Sequence, residues 1–318
     1  MTQDMVARFL STPVHVAIAG IFALLIFASI VSAILRRAAP GEAATELTRR
    51  VNSWWVMITI FTFAILTTRV VSTVFLGLVT FLALKEYLSL VPTRRVDRSV
   101  LLWAYLAIPP QFYFAHIQDF GFFMVWIPVW MFLFIPARIT LGGVTEGFLR
   151  AVGLLSWGLM MTVFALSHTA MLLAFGVSRG FGAGPLLFLV ALTQFNDVAQ
   201  FTWGKLFGRH KILPSVSPKK TWEGFLGGFF TTAAVATLVG PYLTPMDARW
   251  SLLAGAIIAV AGFLGDVTLS ATKRDLGVKD ASNLIPGHGG ILDRVDSLIY
   301  AAPVFFHFIN YFFGHPAP

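Results

Sequence analysis

Apolar residues in this chain come in long runs separated by short polar connectors. Ten runs can be drawn, at residues 14–35, 52–68, 70–90, 100–115, 120–136, 151–175, 185–206, 223–243, 251–268 and 298–313. Runs of this length predict helices that cross a bilayer, because about 20 apolar residues span its hydrocarbon core. The first run is too long for the apolar part of a signal peptide and is read as a span. Only Arg69 separates the second run from the third, which predicts either a tight hairpin or one broken element. Pro109-Pro110 and Pro136 mark helix ends or kinks. The expected fold is an all-α polytopic integral membrane protein with about nine or ten transmembrane helices.

Composition agrees. The 318 residues are 57% hydrophobic and 12% charged, about half the charge of an ordinary soluble domain. The chain has no cysteine, which excludes disulfides, thiolate nucleophiles and Cys-type zinc sites. Its net charge of +8 does not imply nucleic acid, since no basic, aromatic-bearing soluble surface accompanies it. The charge reads instead as topology. With the N-terminus outside, all but four of the 23 Lys and Arg residues fall in the inner connectors, and the four are Arg8, Arg69, Arg179 and Arg249. That bias follows the rule that basic residues accumulate in cytoplasmic loops. A multi-pass protein of a bacterial inner membrane is the expected location, with the chemistry facing the cytoplasm.

That chemistry is concentrated between the last two runs. Residues 265–297 hold Asp266, Asp275, Asp280, Asp293 and Asp296, interleaved with Lys273, Arg274, Lys279, His288 and Arg294. Asp293 and Asp296 are three apart and share a helical face. If the loop folds back, Asp266 joins them, and such an oxygen cluster suits Mg²⁺ and through it nucleotide phosphates. The plainer reading pairs these acids with neighbouring bases as interfacial salt bridges. Lys273, Arg274 and Lys279 could neutralise a triphosphate or could form an ordinary basic loop. The Pro286–Gly290 turn can present backbone N–H groups to an anion, and His288 within it either meets a phosphate proton or orients the turn. Upstream, Asn196 and Asp197 interrupt an apolar run, where a carboxylate costs at least ~2.5 kcal/mol unless it meets a partner or a wet cavity. The stretch Ser217–Gly224 has the signals of a helix start, with capping hydroxyls and Glu223 in the first turn.

The motifs Ser270-x-x-Lys273-Arg274, Lys279-Asp280, Pro286-Gly287-His288-Gly289-Gly290 and Leu292-Asp293-Arg294-Val295-Asp296-Ser297 resemble, in order and spacing, the signature of the phosphatidate cytidylyltransferase (CDP-diacylglycerol synthase) family. Asn196-Asp197 and Ser217–Gly224 are similar to its second block. The resemblance covers roughly the last 130 residues, with only hydrophobic pattern before them. It divides the chain into N-terminal transmembrane helices, 1–180, and a catalytic region, 181–318, with cytoplasmic loops 207–222 and 270–297. It implies transfer of a cytidylyl group from CTP to phosphatidic acid within the bilayer. Asp266, Lys273, Asp293 and Asp296 are then the catalytic set. Asp266, Asp293, Asp296 and Ser270 would hold Mg²⁺, with a second cation and a homodimer left open. Lys219, Lys220, Arg274, Lys279, His288, Asn196 and Asp197 would contact substrate. The chain departs from the family at Leu269, where a carboxylate is usual, so an acceptor other than phosphatidic acid, or a nucleotide other than CTP, is an alternative. An ion-coupled transporter built around Asp197 is the alternative from another class. It expects polar residues at mid-membrane in both halves, whereas these gather at one edge of the C-terminal half.

Overall fold

The apolar runs fold as helices because, without water, backbone N–H and C=O groups must be bonded within their own segment. The computed structural model describes residues 12–39, 41–93, 98–143 and 145–314. Arg8, Arg94 and Arg95 of the charge pattern lie outside them. In chain order come α1 (Thr12–Ala38), α2 (Glu42–Leu66), α3 (Arg69–Leu90), α4 (Arg98–Leu106), α5 (Ile108–Ile117), α6 (Phe120–Thr140), α7 (Phe148–Ser178) and α8 (Gly184–Phe207). A two-stranded ribbon follows, β1 (Lys211–Leu213) and β2 (Ser217–Thr221), then α9 (Trp222–Leu243), α10 (Ala248–Asp275) and α11 (Leu292–Phe313).

Among the described residues, 7 stretches are long and apolar enough to cross a membrane: α1, α3, α4 with α5, α6, α7, α9 and α10. This is fewer than the nine or ten expected, although the other helices exist. α2, α8 and α11 exceed 20 residues but carry polar side chains that dilute their apolarity, among them Gln194, Asn196 and Asp197 on α8 and Asp293, Arg294 and Asp296 on α11. The protein is a helical, polytopic membrane protein whose outward faces expose large apolar residues such as Leu24, Phe27, Leu78, Leu133 and Leu238.

The α2–α3 junction is a corner between two helices. Thr68 caps α3 by accepting the Val71 N–H at 3.3 Å, and the Ser72 hydroxyl donates back to the Ala64 carbonyl at 2.9 Å. The proline pair at 109–110 lies in the first turn of α5, where a missing N–H costs nothing. Pro136 sits inside α6 without ending it.

One expectation is corrected. Ser217–Thr221 does not begin a helix but pairs antiparallel with β1, Lys211 opposite Thr221 and Leu213 opposite Ser217. The helix signals act one step later. Thr221 caps α9 by accepting the Gly224 N–H at 3.2 Å, and Glu223 in the first turn accepts the backbone N–H groups of Arg209 and His210 at 3.1 and 3.2 Å. The cap fixes the ribbon to the helix and aims Lys220 inward.

Helices α8, α9, α10 and α11 form the most closely packed unit. Asn196 is fully buried at its centre. It accepts from the Thr232 hydroxyl at 3.1 Å and donates to the Ala259 carbonyl at 3.3 Å, tying α8 to α9 and α10. At the α10–α11 crossing, a Cβ on Gly265 would lie 2.4 Å from the Asp296 carbonyl oxygen, so only glycine permits this approach. Helix directions bring the end of α3 beside the start of α7, where the Tyr87 hydroxyl donates to the Leu154 carbonyl at 2.9 Å. The ends of α3, α8 and α10 and the start of α11 lie at this same end of the molecule. Arg69 and Arg179 lie at the other, bonded to the carbonyls of His116 and Gly314.

Candidate active site

The close crossing at Gly265 sets the site. Asp266, one residue on, faces Asp296 of α11 and Asp197 of α8 across a cavity of about 250 Å³. The three charges are near enough to act on one another. Each carboxylate is held. Asp266 receives the Lys220 ammonium at 2.5 Å and the Ser270 hydroxyl at 3.2 Å. Asp197 accepts from the Ser297 hydroxyl at 3.0 Å, and Asp296 from the Ser297 N–H at 2.7 Å. Lys220 is further fixed by the Gln200 amide oxygen at 3.3 Å and by the Phe263 ring, 5.0 Å away. Lys273, Asp280, Asp293, Arg294 and Gln194 complete the lining.

A second set of carboxylates builds the loop over this cavity. Asp293 is 5% exposed. One of its oxygens takes the Lys273 ammonium at 2.7 Å, and the other takes the N–H groups of Ala281 and Gly290 at 2.8 and 2.9 Å. Gly289 has φ +77°, and a Cβ there would lie 2.7 Å from the same carboxylate. Glu86, near the end of α3, accepts from the Ser282 hydroxyl at 2.8 Å and from the N–H groups of Ile291 and Leu292 at 3.0 and 2.8 Å. It thereby satisfies orphan donors at the start of α11, where negative charge is favoured. From α2, the Ser53 hydroxyl donates to the Pro286 carbonyl at 2.7 Å, and Trp54 meets His288 edge-on at 5.7 Å.

The structure therefore sorts the residues singled out in the sequence. It brings Asp197, Asp266, Lys273, Asp293 and Asp296 to one cavity, with Lys220 and Ser270 bonded to Asp266. Asn196 faces the helix seam instead. Lys219 and Lys279 are exposed. Arg274 pins the ribbon and its own loop through the carbonyls of Val216 and Val278, at 3.3 and 3.0 Å. His288 packs on α2, where burial, with the positive charge of Arg294 adding to it, holds its pKa below the ordinary histidine value. Gln194 and Glu86 carry site functions that the sequence reading did not assign. A carboxylate near the end of an apolar run was the signal available for Glu86.

Among the described residues, no group of three or more His, Asp or Glu side chains converges on one metal position. The donor chemistry nonetheless fits a hard divalent cation, since Asp197, Asp266 and Asp296 present carboxylate oxygens to one cavity. Asp293, expected among the ligands, spends both oxygens on Lys273 and two backbone N–H groups.

The model of the family described as "Cytidylyltransferase family" matches residues 48–312. The chain belongs to the cytidylyltransferase family. The match begins in α2, so the family extends well beyond the last 130 residues and includes both helices that hold the loop. This cytidylyltransferase is 44% identical over 296 residues to the uncharacterised protein YnbB of Escherichia coli, covering 93% of this chain and 98% of that one. It is 43% identical over 137 residues to the phosphatidate cytidylyltransferase of Haemophilus influenzae, and 37% identical over 123 residues to that of Mycobacterium leprae. Those two matches cover 40% and 39% of this chain, and 46% and 39% of the relatives.

Proposed function

We propose that this cytidylyltransferase joins CTP to phosphatidic acid, forming CDP-diacylglycerol and pyrophosphate, at the cytoplasmic face of a bacterial inner membrane. The observation that carries the reading is the cavity where three acids meet Lys220, Lys273 and Arg294 at one end of a membrane-embedded helix unit. An oxygen of the lipid phosphate attacks the α-phosphorus of CTP, the bond from that phosphorus to the bridging oxygen of the β-phosphate breaks, and pyrophosphate leaves. No protein nucleophile is needed, so the protein's work is to position two polyanions and offset their repulsion. Lys220, Lys273 and Arg294 supply fixed positive charge. Asp197, Asp266 and Asp296 are the residues that would hold Mg²⁺, and the ion when bound would neutralise phosphate charge.

A second acceptor has an observation in its favour. A similarity that runs nearly the length of the chain is to YnbB, whereas the phosphatidate cytidylyltransferases of Haemophilus influenzae and Mycobacterium leprae match over about two fifths of it. Leu269 is buried in apolar core, 1% exposed, and offers no carboxylate to the cavity. The test is purified protein with labelled CTP, Mg²⁺ and a panel of lipid phosphates. Phosphatidic acid is expected to give labelled liponucleotide. Product from another lipid phosphate alone moves the acceptor, and no product with any acceptor or nucleotide ends the reading. In the same assay His288→Ala is expected to lower kcat less than tenfold, since it removes one edge-on ring contact worth about 0.5–1.5 kcal/mol. Burial holds the His288 pKa below the ordinary histidine value, so its loss should leave the rate profile between pH 7 and 8 unchanged in shape.

A further inference from the structure

A second cavity, of about 440 Å³, shares no lining residue with the first and lies between α3 and the broken span α4–α5. It is a groove. Val74, Gly77 and Leu78 form one wall, and Ile108, Phe112 and Tyr113 the other. Gly77 leaves the floor open, the Phe112 ring being the nearest side chain to it, 3.7 Å from where its Cβ would stand. Val74, Leu78 and Tyr113 at its lip are exposed, so the groove opens sideways, where the surrounding lipid lies. From Val70 to Phe81 it follows α3 for roughly 16 Å at 1.5 Å per residue. A slot of that shape and chemistry takes a single acyl chain.

Its end opposite the carboxylates is polar, and Arg69, outside the lining itself, adjoins it through His116. Thr73 and His116 line it there, their side chains 3.3 Å apart. The Arg69 guanidinium donates one N–H to the His116 carbonyl. Its Nε is buried with no hydrogen-bond partner. Among the described residues no carboxylate is paired with Arg69. A guanidinium without a carboxylate partner at the membrane edge attracts anionic headgroups, and here it stands at the start of α3, where the helix also favours an anion. Apolar wall and uncompensated cation together match a lipid with a negative headgroup.

We propose that this groove binds one anionic phospholipid of the leaflet opposite the active site, an acyl chain along α3 and the phosphate at Arg69. Neither half of the site touches the cavity around Asp266, so the assignment stands whichever acceptor the enzyme uses.

Native mass spectrometry of the full chain, titrated in detergent with phosphatidylglycerol or phosphatidylcholine, tests the headgroup. The first phosphatidylglycerol adduct is expected at about fivefold lower lipid concentration, the effect of ~1 kcal/mol from one cation near a lipid surface. Arg69→Gln is expected to abolish that preference, and Gly77→Leu to weaken both adducts by filling the slot. Phosphatidylglycerol with a photoreactive acyl chain tests the groove in the unmutated protein, with label expected on residues 70–81 and 105–116. Equal affinity for the two lipids, a preference that survives Arg69→Gln, or label confined to other helices would overturn the proposal.

Discussion

Asp266→Asn and Asp293→Asn should both abolish cytidylyl transfer, by at least about a thousandfold, and for different reasons. Asp266 is half-buried, faces the open cavity and is bonded to Lys220 and Ser270. An amide there keeps the shape but removes charge at a half-buried position open to the cavity, so the fold should persist while the rate falls, a thousandfold loss being ~4 kcal/mol of activation free energy. Asp293 is different. Its carboxylate holds the Lys273 ammonium, 10% exposed, and two loop N–H groups. Removing one partner of a buried ion pair costs about 3–5 kcal/mol, and here the unpaired charge sits against the loop. Hydrogen exchange is the discriminating measurement. Residues 276–291 should lose protection in Asp293→Asn and keep it in Asp266→Asn. Equal protection in the two variants would remove the distinction drawn between them.

Glu86→Gln should lower activity by about ten- to a hundredfold, although Glu86 does not line the cavity. Its carboxylate collects three donors, two of them backbone N–H groups at the start of α11. Hydrogen bonds to a charged group contribute roughly 1.5–3 kcal/mol each. The amide keeps one oxygen and turns an NH₂ toward donors that cannot accept. Asp296 and Arg294 follow directly on α11, so a shift at residues 291–292 moves both. Glu86 is therefore a positioning residue. Its loss should raise KM for CTP and lower kcat together, and residues 282–292 should exchange faster. Glu86→Asp, one methylene shorter on a fixed helix, should recover only part of the rate. Activity within twofold of the unmutated enzyme would show that the loop is held without it.

The acids and bases of residues 265–297 were legible because a dense charge cluster between two apolar runs has few structural explanations, and because its motif spacing is specific. What each acid does was not legible. Asp293 and Asp296 share a helical face by spacing, yet Lys273 and two loop N–H groups capture the first while the second faces Asp266. That division depends on a loop conformation that no periodicity encodes. The ribbon at 211–221 was missed because strands of three and five residues, one holding Pro218 and two lysines, have no alternating pattern long enough to detect. Glu86 drew no role from the sequence because its partners lie about 200 residues further on. The count of spanning helices fell short for a related reason. The helices that supply the chemistry, α8 and α11, give up apolarity to carry it, and their packing against α9 and α10 rather than their hydropathy keeps them in place.

The bond from Leu292 to Glu86 also imposes an order on biosynthesis. The two residues are 206 apart in sequence, and a ribosome adding 5–20 residues per second takes roughly 10–40 s to cover that distance. Through that interval α2 and α3 have emerged, and Glu86 waits at the end of its helix with no N–H to receive. The loop at 276–291 orders only when α11 follows it out, because its partners on α2 and α3 are already made and its own Asp293 comes last. Catalytic competence thus waits for α11, the last of the described helices to be inserted.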